Sequence, residues 1–196
     1  VALSPALYKK LSYDVRTDLA PVALTAVIPL VLAVHPSVPA NNVPEFLAYV
    51  KANGSKMSYG SAGNGNITHL GAFLMLQSQG LSAQHIPYKG SAPALTDAVA
   101  GQTQFLTDTI NSALPFIRDK RLKALAVTSL QRSPVLPDVP TLAESGLRGF
   151  EVGAWQGVMV PARTAPEVVT RLNAELTKAL ASADVKAKLA AQGASP

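Results

Sequence analysis

Three short polar segments carry most of the chemistry this chain could do. The richest is Tyr59-Gly-Ser-Ala-Gly-Asn-Gly-Asn-Ile-Thr-His69. Its small residues follow a strand-like run and precede a helical one. Backbone N–H groups can converge there at the positive end of a helix and hold an anion without a lysine or arginine. Ser61, Asn64, Asn66 and Thr68 could add side-chain donors. Three familiar phosphate or nucleophile motifs are absent. Gly63-Asn-Gly-Asn-Ile-Thr68 ends in threonine where a dinucleotide fingerprint needs its third glycine, and His85 stands where a ribose-binding acid belongs. No Gly-Lys-Ser/Thr follows the turn, and Ser61 lacks the Gly-x-Ser-x-Gly frame of a nucleophile elbow. An anion site and an ordinary capped βα turn both fit this pattern.

The second segment, Tyr88-Lys89-Gly-Ser-Ala-Pro-Ala94, again hands a strand to a helix. Gly90 allows close backbone approach and Ser91 can cap the helix. The third is Asp108-Thr-Ile-Asn-Ser112, at the end of a strand over 103–107. Ligands of open α/β sheets bind outside the carboxyl ends of strands, so all three segments are expected on one rim of one sheet. His35, His69 and His85 lie in different elements with no metal-ligand spacing, and no pair of carboxylates has a hydrolytic spacing. His69 is expected to order the glycine turn. These residues offer binding groups and lack a reaction centre, and no metal or cofactor is implied.

Hydrophobic patterning supplies the elements that must position these residues. A compact apolar run at 29–34 reads as a buried strand, and Asn42-Val-Pro-Glu45 as the capped start of a helix that stops at Gly54. Strands over 56–60, 83–87, 103–107 and 122–128 alternate with helices after the glycine turn and over 91–100 and 112–120. That alternation predicts a parallel, doubly wound sheet with helices on both faces. The last third differs. Pro134, Pro137 and Pro140 mark an extended loop, and Thr141–Glu144 can cap a short helix. A strand over 151–160 surrounds Trp155. Thr164-Ala-Pro-Glu167 reads as a capping box, and Val168, Leu172, Leu176 and Leu180 recur at helical spacing, so their helix is expected to lie on a core. Ser182 and Asp184 start a second short helix.

Composition narrows the classes. Of 196 residues, 48% are hydrophobic and 15% charged, which excludes a disordered chain. Without cysteine there is no disulfide scaffold, thiol nucleophile or cysteine-ligated metal. The net charge of +5 raises the question of nucleic acid. Only Arg118, Lys120, Arg121 and Lys123 cluster, however, and aromatics are 6%, so no nucleic-acid partner is expected. The longest apolar stretch, Ala20 to Val34, is interrupted by Pro21, Thr25 and Pro29 and is short for a membrane span.

Several motifs in order resemble one family. Ser4-Pro-Ala-Leu-Tyr-Lys-Lys-Leu-Ser-Tyr-Asp14, Ala20-Pro-Val22, Pro29-Leu-Val-Leu32, Tyr59-Gly-Ser-Ala-Gly63 with His69-Leu70, Pro87-Tyr-Lys-Gly90 with Pro93-Ala-Leu-Thr-Asp97, Leu125-Ala-Val-Thr128 and Leu136-Pro-Asp-Val-Pro-Thr141 carry the likeness. Together they resemble the Bug (TctC-like) solute receptors of tripartite tricarboxylate transporters. The resemblance implies an α/β, two-lobed fold like type II periplasmic binding proteins, with a small carboxylate closed between the lobes.

It further implies a periplasmic, non-enzymatic receptor that hands a dicarboxylate, related organic acid or amino acid to the membrane subunits of such a transporter. Family members begin with a further strand and loop, so the resemblance implies a chain N-terminally shortened relative to them. One lobe, 32–125, would be complete, with 1–31 and 126–196 forming part of the other, and the apolar surface left bare would favour self-association. Carried onto this sequence, the ligand-binding residues are Ser61, Ala62, Gly63, Asn64 and His69, with Tyr88, Gly90, Asp108 and Thr109 lining the same wall. Trp155 matches an aromatic of the returning strand and is expected in a core. The alternative is an α/β enzyme using the glycine turn as an anion cradle and His69 as base. That reading requires a nucleophile or acid within hydrogen-bond reach of His69.

Overall fold

Residues 3–196 are described by a computed structural model, and the chain divides into two compact units. One is Val1–Val27 with Trp155–Pro196; the other is Ile28–Ala154, which contains all of the expected lobe 32–125 and extends beyond it at both ends. Strand β1 (Leu19–Val34) contributes to both. Pro21 and Pro29 have no N–H to give a sheet. Pairing of β1 with its larger-unit neighbours starts just past Pro29, at Leu30↔Thr109 and Val31↔Val127.

In the larger unit, α2 (Val43–Asn53) begins as the sequence predicts, after α1 (Ser4–Leu7) of the smaller unit. Asn42 accepts from the Glu45 N–H at 2.9 Å, and the Glu45 carboxylate accepts from the Asn41 N–H at 2.8 Å. Then follow β2 (Ser58–Ser61), α3 (Ile67–Ser78), β3 (Gln84–Pro87), α4 (Ser91–Val99), β4 (Phe105–Thr109), α5 (Ile110–Arg118) and β5 (Lys123–Val127). The strand order is β3-β2-β4-β1-β5. β2 runs parallel to β3 and β4, whereas β1 is antiparallel to both β4 and β5. The sheet is therefore mixed, not wholly parallel as expected. The alternating units from β2 to β5 do share one direction, because each strand–helix–strand connection returns the chain to the same edge. β1 alone is reversed between β4 and β5, and apolar patterning carries no information on strand direction.

Alternate side chains separate two cores. Leu32, Val34, Tyr59 and Phe105 pack with Phe46 of α2 and Met75 of α3. Val31, Ala33 and Leu106 pack with Leu95 of α4 and Ile110 of α5. On the first face α3 lies close to the sheet at Gly71, where a Cβ would come within 2.9 Å of the Leu30 side chain. Beyond β5, Thr141 and Glu144 cap each other, at 2.7 and 3.0 Å, around a turn rather than the expected helix. The basic cluster forms no stripe. Lys123 donates to the Val38 and Ala40 carbonyls at 2.7 and 2.8 Å, and Arg121 lies over the Phe116 ring.

In the smaller unit, β6 (Gly153–Pro161) pairs with β1, and α6 (Pro166–Ala181) and α7 (Ala183–Ala191) complete the chain. Three local expectations change here. α6 starts one residue later than the Thr164–Glu167 box requires, so Ala165 sits at the cap position and no side-chain cap forms. The α6 ridge is not buried: Val168 and Leu172 are exposed, and no α6 residue is fully covered. Trp155 is 55% exposed and so is no core residue.

Candidate functional site

The three polar segments do meet on one rim of the larger unit's sheet, because β2, β3 and β4 all point the same way. The Tyr88 N–H donates to the Ser61 carbonyl at 3.0 Å and the Gly90 N–H to the Ala62 carbonyl at 3.2 Å, which joins the first two turns. The Ser91 hydroxyl donates to Asp108 Oδ1 at 2.9 Å, which joins the second to the third. All nine expected site residues belong to this linked rim.

The rim does not work as a row of free amides. The Ala62 N–H donates to Thr68 Oγ1 at 2.8 Å and the Gly63 N–H to Ser61 Oγ at 3.2 Å. The Gly65 N–H donates to His69 Nδ1 at 3.1 Å, that of Asn66 to the Gly63 carbonyl, and that of Thr68 to the Asn66 side chain. Asn66 is the cap of α3, so this helix start is closed by its own residues. Among the described residues only the Asn64 and Ile67 amides of the turn lack a protein partner. The expectation of an open amide nest is thus corrected. Local hydroxyls and an imidazole satisfy the bend, as buried polar groups require. The neighbouring helices differ, since neither α4, which follows Gly90 at φ 114°, nor α5, which follows Thr109, receives a side-chain cap. Their first-turn N–H groups keep the positive helix end available at the same rim.

Burial sorts the side chains further. Ser61 and Asp108 are 1% and 0% exposed, so they support the rim from inside. Asn64 is exposed; Ala62, Gly63, His69, Tyr88, Gly90 and Thr109 are half-buried. Asp108 Oδ1 accepts from Ser91 and from the Thr109 N–H at 2.7 Å, while Oδ2 is buried with no protein partner. Burial pushes its carboxyl above the ordinary range, partly offset by the Ser91 and Thr109 hydrogen bonds. The Tyr88 hydroxyl donates to Asp97 Oδ2 at 2.7 Å; burial and that carboxylate push the phenol up to about 12.

One participant escaped sequence reasoning. His85, on β3, stacks on His69 with ring centroids 3.8 Å apart and planes 6° apart, and its Nε2 lies 2.6 Å from Ser61 Oγ. The two histidines are far apart in the chain, and only the β2–β3 register, with Tyr59 opposite His85, brings them together. His69 Nδ1 is engaged by the Gly65 amide, and no acid or hydroxyl of the described residues hydrogen-bonds to that ring. A surface depression of about 620 Å³ lies elsewhere, at the opposite edge of the parallel strands, lined by residues such as Leu47, Lys51, Gly54 and Leu81.

Residues 1–196 match the family described as the tripartite tricarboxylate transporter family receptor, TctC. Protein BugT of Bordetella pertussis is 34% identical over 196 residues, covering 100% of this chain and 60% of that one. A UPF0065 protein of the tcbD-tcbE intergenic region of a Pseudomonas species is 42% identical over 179 residues, 91% of this chain and 53% of its own length. The chain thus spans little more than half of these curated relatives. An R. palustris protein solved with adipate superposes with a TM-score of 0.91 at 34% identity, over 96% of this chain and 63% of that one. MatC from Rhodopseudomonas palustris, solved with bound malate, gives 0.88 at 35% identity, over 98% and 66%. With its full length matched and its fold shared, the chain belongs to the TctC family of tripartite tricarboxylate transporter receptors.

Proposed function

We propose that this chain serves a periplasmic solute-binding receptor, with the rim of β2, β3 and β4 forming one wall of the site for a small carboxylate. The observation that carries this reading is the pair of uncapped helix starts at Gly90 and Thr109, beside the free Asn64 amide. The malate and adipate bound to the two solved relatives support the choice of ligand class. In this reading Asn64, His69, Tyr88, Gly90 and Thr109 face the guest. Ser61, Ala62, Gly63 and Asp108 hold the backbone that presents it.

Binding replaces the guest's hydration with N–H donors already fixed in place, and preference for the liganded conformation shifts the population toward it. The receptor then delivers its ligand to the membrane subunits of a tripartite tricarboxylate transporter. In this proposal the complete lobe, expected over 32–125, lies within the unit Ile28–Ala154, and the unit of Val1–Val27 with Trp155–Pro196 forms part of the other. Titrating malate and adipate into the 15N-labelled protein tests the reading. Saturable shifts are expected at the Asn64 amide and at the first-turn amides Ser91 and Ala92 of α4 and Ile110 and Asn111 of α5, and silence there toward every carboxylate tried overturns it.

The smaller unit supports a second element of the proposal, self-association. Leu24 and Trp155 are more than half exposed, and Val168 and Leu172 add to the apolar surface. Light scattering is expected to show mass rising with concentration. A single monomer mass from micromolar to millimolar protein overturns this part alone.

A further inference from the structure

Both imidazoles of the stacked pair grip the glycine turn, each by one ring nitrogen. His69 Nδ1 accepts from the Gly65 N–H at 3.1 Å. His85 Nε2 holds Ser61 Oγ at 2.6 Å, and that oxygen accepts from the Gly63 N–H while facing the Gly63 carbonyl at 3.2 Å. Gly63 and Gly65 have φ of 135° and 67°, conformations that side-chain-bearing residues rarely adopt, so these hydrogen bonds fasten a shape the chain does not favour by default. Gly65 is buried, and its N–H has no other partner among the described residues.

The groups around the pair are neutral. From β2, Tyr59 stacks on His85 at 5.0 Å and lies 6.2 Å from His69. From α3, Phe73 lies 6.0 Å from His69, and from β4, Phe105 backs Tyr59 at 5.3 Å. Tyr59 is the titratable neighbour, and burial pushes its phenol up, so it stays protonated. Among the described residues no carboxylate, lysine or arginine pairs with either ring.

We infer that His69 and His85 are positioning residues that act together as a proton-sensitive latch on the turn from Ser61 to Asn66, closed while both rings are neutral and released when His69 Nδ1 takes a proton. A proton on His69 Nδ1 would face the Gly65 N–H and remove its acceptor, which leaves a buried donor unpaired. A proton on His85 sets a charge 3.8 Å from the neighbouring ring and bars a second one there. Burial lowers both imidazoles, and His85, with His69 beside it, falls to about 4. The folded state therefore binds fewer protons than the unfolded chain below the ordinary histidine range. The stability of the closed latch is fully present above about 6.5 and is lost as pH falls toward about 4. The consequence for ligand rests on the receptor reading: a carboxylate wall built on this turn weakens on acidification.

Amide and imidazole resonances of the 15N-labelled protein, followed from pH 7.5 to 4.5 without ligand, test the latch. The Gly63 and Gly65 amides are expected to shift together with the imidazoles, at a midpoint below that of free histidine, while the Phe105 and Leu106 amides of the core hold still. His69→Asn, which retains an acceptor for Gly65 and cannot titrate, should flatten the Gly65 response; His69→Ala should give the released position at every pH. Two imidazoles titrating independently at the free value, or a Gly65 amide unmoved at pH 4.5, overturns the inference. Adding malate or adipate at pH 7 and pH 5 separates the two claims. If no carboxylate binds at either pH while Gly65 still titrates, the receptor reading falls and the latch stands.

Discussion

The two units of this chain use similar residues to different ends. In Ile28–Ala154, both faces of the sheet are covered, and side chains as large as Phe46 and Phe105 are fully buried, their rings meeting edge to face at 5.0 Å. In the smaller unit, the buried hydrophobic residues among those described are Val22, Ala26 and Ala194. Its long helix α6 carries an apolar ridge at helical spacing, yet Leu172 is 38% exposed. Helical spacing alone therefore does not make a core. A ridge is stabilised only where a second apolar layer excludes water from it, and the larger unit supplies that layer twice.

The largest test of this contrast removes one apolar side chain from each unit. Phe105→Ala deletes a ring that touches Phe46 and Tyr59 in a closed core, and should cost about 3–5 kcal/mol in urea unfolding. Leu172→Ala, already partly in water, should change stability by less than about 0.5 kcal/mol at a protein concentration low enough to keep the chain monomeric. Equal losses would mean that the α6 ridge is covered in solution, for example by a second copy of the chain, and the contrast between the units would break.

What could be read from the residues follows the same division. The elements from α2 to β5 and the meeting of three polar turns on one rim were legible, because helix caps, glycine stops and apolar runs are local signals. The direction of β1 was not legible, since it depends on which neighbours it joins and not on its own alternation. Nor was the state of the glycine turn. Its small residues marked a bend at a helix start, but whether the amides of Ala62, Gly63 and Gly65 faced outward depended on Thr68, Ser61 and His69 closing back on them. His85 was hidden for a related reason: its contact with His69 exists only through strand register. Burial likewise separates Ser61, inside the rim, from Asn64, on its surface.

A smaller effect sharpens the comparison at the level of single hydrogen bonds. Asn42-Val-Pro-Glu45 and Thr164-Ala-Pro-Glu167 look alike in sequence, each with a polar cap candidate, a proline and a glutamate three residues on. In α2 the box closes, with Asn42 and Glu45 exchanging bonds of 2.9 and 2.7 Å. In α6 the helix begins at Pro166, which makes Ala165 the cap residue and displaces Thr164 and Glu167 from box positions by one residue. Proline is well suited to that first position, where its missing N–H costs nothing. Asn42→Ala should therefore destabilise by about 1 kcal/mol. Thr164→Ala should fall within about 0.5 kcal/mol of the parent, because the Thr164 bond to the Pro161 carbonyl comes from its backbone and survives the change. Paired urea melts at one pH decide it. A loss at Thr164 as large as that at Asn42 would show α6 starting one residue earlier in solution, with its cap formed and the smaller unit better ordered at this end than its bare ridge suggests.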